Sequence, residues 1–77
     1  MGPKYLLTIK LTITGKGNYM AQTIEPTEHL AYGAVFWIVK KLYYNETKIK
    51  IDPIIREGKI KISDENQIGT YEIEEIK

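Results

Sequence analysis

The chain contains no cysteine among its 77 residues. Disulfides cannot brace it, and a thiolate metal site or a cysteine nucleophile is excluded. Histidine, serine and arginine occur once each, as His29, Ser63 and Arg56. A Ser-His pair would have to be Ser63 with His29, and a metal site built on His29 with Glu25 or Glu28 would have three ligands at most, at a spacing that matches no metal motif. The segment Gly15-Lys16-Gly17 lacks the longer glycine pattern and the following helix of a phosphate loop. Paired acids such as Asp64 and Glu65 lie in a polar stretch and read as solvated. No enzyme activity, cofactor or metal is therefore expected.

Long hydrophobic runs are also missing. The longest extends from Leu30 to Val39, and a membrane span needs roughly 20 residues. The amino end alternates polar and apolar residues and does not read as a secretory signal. A cytoplasmic location without membrane association is expected, and Asn45-Glu46-Thr47 reads as a polar turn, not a glycosylation site.

Charge of one sign is not in excess: the net charge is +1 with 27% charged residues. Its distribution is uneven. Residues 1–23 sum to +3, residues 24–47 to −1, residues 48–63 to +3 and residues 64–77 to −4. A chain this short buries only about 60–65% of its unfolded surface. Dense aliphatic packing, self-association or a partner must then supply stability. Isoleucine and tyrosine are abundant, as packing of that kind requires.

The periodicities predict one α+β domain over residues 1–77, with a single helix packed on a mainly antiparallel sheet of about five strands in the order β-β-α-β-β-β. Residues 4–14 alternate with period two, with Tyr5, Leu7, Ile9, Leu11 and Ile13 on one face. Gly15-Lys16-Gly17-Asn18 makes a turn, and a second strand runs from Tyr19 to Glu25 and stops at Pro26. Thr27 caps a helix from Glu28 to Tyr44, with Glu28 in its first turn, Lys40 and Lys41 near its end and Asn45 as C-terminal cap. Lys48 to Ile51 forms a strand that Ile54 and Ile55 continue beyond Pro53. Arg56-Glu57-Gly58 turns, Lys59 to Ser63 forms a strand, Asp64 to Gly69 a loop, and Thr70 to Ile76 the last strand.

Pairing Ile60 with Ile73 and Ile62 with Tyr71 places Lys61 opposite Glu72 and Lys59 opposite Glu74. That register would absorb much of the charge asymmetry internally.

The helix is more apolar than one sheet needs. Ala31, Ala34, Val35, Ile38 and Leu42 form the stripe expected to face the sheet. Tyr32, Phe36, Val39 and Tyr43 make a second stripe, and Leu30, Gly33 and Trp37 flank the first. Three arrangements would bury the surplus: a sheet curled around the helix, a helix-to-helix homodimer, or a different protein partner. The resulting expectation is a small non-enzymatic protein–protein interaction or regulatory module, a homodimer, with Tyr32, Gly33, Phe36, Trp37, Val39 and Tyr43 at the interface. Size and composition resemble accessory or inhibitor proteins of viruses and mobile elements. The alternative is a nucleic-acid-binding sheet face using Lys10, Lys16, Lys48, Lys50 and Lys61, joined by Lys59. Against it, arginine is scarce and only Tyr19 offers an exposed strand aromatic for base stacking.

Overall fold

A computed structural model describes residues 3–13, 17–43, 48–53, 56–62 and 67–76. Its elements are β1 (Lys4–Ile13), β2 (Gly17–Glu25), α1 (Glu28–Leu42), β3 (Ile49–Ile51), β4 (Glu57–Ile62) and β5 (Gln67–Ile76). The helix packs on one face of a five-stranded antiparallel sheet of spatial order β2-β1-β5-β4-β3. This is the α+β architecture and element order that the periodicities predict.

Alternation in β1 drives the fold. Leu7, Ile9 and Leu11 are buried, and their cross-strand neighbours on β5 include Tyr71 and Ile73, also buried. From above, α1 presses Ala31, Ala34, Val35, Ile38 and Val39 into the same core. Complete burial of an aliphatic side chain of this size contributes roughly 1.5–3 kcal/mol, so β1, β5 and the inner stripe of α1 stabilise the fold together. No polar or charged side chain is wholly buried among the described residues.

The Thr27 hydroxyl accepts the Leu30 amide at 3.1 Å, closing the helix start. The helix ends at Leu42, two residues before the expected end. Tyr43 takes the cap position and donates its amide to the Val39 carbonyl. Asn45 lies outside the described residues, as do Gly15, Lys16 and the continuation through Ile54 and Ile55. Gly17 opens β2 with φ +87°, a conformation that glycine adopts without steric cost.

The β4–β5 pairing differs from the expected register. Ile60 lies opposite Gly69, not Ile73, and Lys59 opposite Thr70, not Glu74. Glu72 instead lies between Glu57 on β4 and Thr8 on β1. As far as Ile60 the slide is four residues, an even number, so side chains keep their faces and alternation alone cannot reveal it. Lys61, expected opposite Glu72, lies beyond a bulge and opposite Gln67. Close approach selects the observed register. A Cβ on Gly69 would run into the Lys10 carbonyl and lie 2.6 Å from Leu11 Cδ2. Gly58, expected in a turn, is a strand residue beneath the Tyr71 ring, where a Cβ would meet Tyr71 Oη at 2.6 Å and Asp52 Cβ at 2.8 Å. Between the pairs Ile60–Gly69 and Lys61–Gln67 a bulge makes Ile68 the extra residue. Ile68 is buried as a result, and β5 begins three residues before the expected start.

Candidate interaction surface

The surplus apolar stripe of the helix divides into a covered flank and an open one. At Tyr32 the covered flank faces the β5-β4-β3 side of the sheet, and at Tyr43 it reaches β1. Tyr32 donates its hydroxyl to the Asp52 carbonyl at 2.6 Å and meets Tyr71 edge-on, with ring centroids 5.9 Å apart. Val39 is fully buried, so it belongs to the core and offers nothing to a partner. Tyr43 is half-buried and reaches the Thr12 carbonyl at 3.4 Å. Of the six residues expected at an interface, the sheet thus engages Tyr32, Val39 and Tyr43. Gly33, Phe36 and Trp37 stay exposed.

The open flank leans over β2. Trp37 is 53% exposed. With Ile38, Lys41 and Leu42 from the helix and Tyr19, Ala21 and Thr23 from β2, it lines a cleft of about 400 Å³. Leu30, two turns before Trp37, shares its flank by helical phase and is equally exposed. On the other face of β2, Met20 is 61% and Ile24 58% exposed. Seven large apolar side chains stand open to solvent among the described residues. Five of them (Tyr19, Met20, Ile24, Leu30 and Trp37) gather about this one strand; only Phe36 and Ile76 lie elsewhere.

β2 is also an edge strand. Sheet edges expose unpaired amides and carbonyls, and proteins commonly blunt them with short length, lysine, proline or a bulge. The opposite edge, β3, has three residues with Lys50 at its centre. β2 has nine residues, no lysine, arginine or proline, and one acid at its end, Glu25. Its nine pairs with β1 run without a register shift. Strand order was needed to see this. The nine-residue stretch free of cations and proline was the signal available in the sequence.

The lysine set falls on the sheet face away from the helix. Lys10 and Lys59 both lie opposite Thr70, from β1 and β4, and Lys50 lies opposite Lys61. Lys48 is exposed just before β3, and Lys16 lies outside the described residues. Glu57 and Glu72, neighbours across β4 and β5, interrupt the basic surface. Tyr5, Tyr19 and Tyr71 alternate with the residues of that face and point to the helix side, so among the described residues it carries no aromatic side chain.

Near Asp52 the chemistry is structural. The Asp52 carbonyl accepts both Tyr32 Oη and Tyr71 Oη, and its carboxylate accepts the Lys59 amide at 2.9 Å. Burial, then the neighbouring Tyr32 and Asp52, push the Tyr71 phenol up to about 12. It therefore remains a protonated donor at neutral pH. His29 is exposed on the first helical turn, and Ser63 lies outside the described residues. No group of three or more metal-ligating side chains comes together among the described residues, and no helix there is long and apolar enough to cross a membrane.

Compared with protein-family models, with functionally curated proteins and with solved structures, the chain finds no match.

Proposed function

We propose that this chain is a non-enzymatic protein-interaction module that binds another polypeptide along β2, with Leu30 and Trp37 gripping from the helix side. The observation that carries this reading is the gathering of five exposed apolar side chains about an unblunted nine-residue edge strand. Strand addition at such an edge supplies main-chain hydrogen bonds, and flanking apolar side chains supply specificity. Aromatic anchors such as Trp37 and Tyr19 are the side-chain types that dominate binding energy.

A basic sheet surface binding nucleic acid receives less support. Glu57 and Glu72 break up its lysines, and among the described residues it offers no aromatic side chain on which the bases of a single strand could stack.

Affinity purification from the cell of origin, with the wild-type chain and Trp37→Glu and Ile24→Glu variants as baits, tests the proposal. Both side chains are more than half exposed in the single chain, so the variants are expected to keep its fold, read as an unchanged far-ultraviolet circular dichroism spectrum. A polypeptide, self or foreign, retained by wild type and lost from both variants supports the reading. Retention of nucleic acid that weakens steeply with salt, with no variant-sensitive polypeptide, overturns it.

A further inference from the structure

The geometry points to a second copy of this chain as the occupant of the β2 edge, paired antiparallel about a two-fold axis at Ala21 to make one continuous ten-stranded sheet. This rests on the interaction reading above and names its partner.

The first argument is complementarity of the strand with itself. Ala21 is the midpoint of Gly17–Glu25. An antiparallel copy centred there overlaps all nine residues, which gives the edge its longest possible ladder. Met20 then lies opposite Gln22 of the second copy, Tyr19 opposite Thr23, and Asn18 opposite Ile24. The smallest side chain in the middle of the strand sits on the axis, where two identical groups must meet.

Charge is the second argument. Glu25 is the strand's one charged residue. In this register the two copies of Glu25 lie at opposite ends of the junction, each beside Gly17 of the other chain. Tyr19, next along that face, lines the cleft with Lys41. Each Glu25 carboxylate is therefore brought to the end of the groove where the other chain holds Lys41, an opposite-charge match made twice by the symmetry.

The third is continuity of apolar cover. A two-fold axis perpendicular to the sheet leaves both helices on one face, with their Leu30–Trp37 flanks turned towards the axis. Trp37 and Tyr19 then roof the junction on that side, and Met20 and Ile24 floor it on the other. Edge strand β3, short and centred on Lys50, remains the blunted end of the enlarged sheet, so pairing closes at two copies.

The absence of cysteine makes the test specific. Sedimentation equilibrium of the unmodified chain at micromolar concentration is expected to give twice the 8.9 kDa of one chain. Under diamide oxidation the Ala21→Cys variant is expected to couple to itself, because directly opposed Cβ atoms lie about 4.5–5.5 Å apart. Thr23→Cys is expected to couple at least about tenfold more slowly, since four residues of strand offset it from its own copy by about 13 Å. Mixed Met20→Cys and Gln22→Cys chains, altered only at exposed positions, are expected to couple with each other in preference to themselves. This pair decides the register even if Ala21→Cys fails to fold. Self-coupling of Thr23→Cys or Phe36→Cys in place of these overturns the pairing. A monomeric mass also overturns it, and the retention experiment above then shows whether the wider reading survives: Trp37-dependent capture of a foreign polypeptide preserves that reading, and no such capture removes both.

Discussion

The hydroxyls of Tyr32 and Tyr71 converge on a single acceptor, the Asp52 main-chain carbonyl, at 2.6 and 2.7 Å. This clamp joins helix, central sheet and the short β3–β4 hairpin, because the Asp52 amide also donates to the Lys59 carbonyl at 3.2 Å. A carbonyl has two lone pairs, and here both find donors.

Stability is expected to fall between pH 10 and pH 12 through this clamp. The Tyr71 phenol titrates near 10 in the unfolded chain and at about 12 in the fold. Within that window the folded state holds a proton that the unfolded state has lost. Unfolding releases a proton there, so its contribution is complete below pH 10 and drains away as pH rises, by up to about 1.4 kcal/mol per pH unit. Urea unfolding of wild type and Tyr71→Phe at pH 9 and pH 11 isolates it from lysine titration. The difference between the two proteins should shrink at the higher pH, and an unchanged difference would count against the displaced titration.

Much of the fold was legible because hydrophobic periodicity carries it. Leu7, Ile9 and Leu11 alternate, Ala31, Ala34, Val35 and Ile38 recur at helical spacing, and Thr27 marks the helix start. What was illegible depends on partners. Period two cannot separate two registers that differ by four residues, so Lys59 facing Thr70 required the close approach at Gly69. Helical phase distinguishes Tyr32 from Trp37, but not which of them the sheet covers. That follows from strand order, which places β3 and β4 on one side of the helix and the open edge of β2 on the other.

The Thr23 hydroxyl is buried and meets no hydrogen-bond partner among the described residues. Hiding such a group costs roughly 1–3 kcal/mol. Thr23→Val keeps the shape and removes the unmet polar atom. It is expected to raise stability by about 1 kcal/mol, read as a higher urea midpoint at unchanged slope. A loss of stability would mean that the hydroxyl has a partner in solution.

Arg56 grips Glu28 with both arms of its guanidinium, Nε to Oε2 and Nη2 to Oε1, each at 3.1 Å, and lies 5.9 Å from the Tyr5 ring centroid. The contact pins β4 to the first turn of the helix, yet both partners are partly exposed to solvent. Pairs of this kind contribute at most about 1 kcal/mol and are screened by salt. In a double-mutant cycle of Arg56→Met and Glu28→Gln, the coupling should stay below about 1 kcal/mol and decline in molar salt. A coupling that is large and indifferent to salt would refute this surface-pair assignment.

Two glycines should respond in opposite directions to the same added methyl group. At Gly69 a Cβ strikes the β1 backbone at Lys10, which cannot yield without breaking the β1–β5 ladder. Gly69→Ala is expected to cost about 3 kcal/mol or more, in the range of severe overpacking, and to lower the melting temperature sharply. At Gly33 nothing lies within 4 Å of an added Cβ. Gly33→Ala therefore gains helix propensity, about 1 kcal/mol, with nothing to oppose it in a single chain. Gly33 also separates two ways of pairing copies. A helix-to-helix dimer that needs backbone approach at Gly33 would be weakened by the methyl group, whereas pairing along β2 is held by the strand ladder and does not depend on approach at Gly33. Gly33→Ala should raise the melting temperature and leave the sedimentation mass unchanged. A dimer that dissociates on this substitution would locate the contact on the helix face, not at the sheet edge.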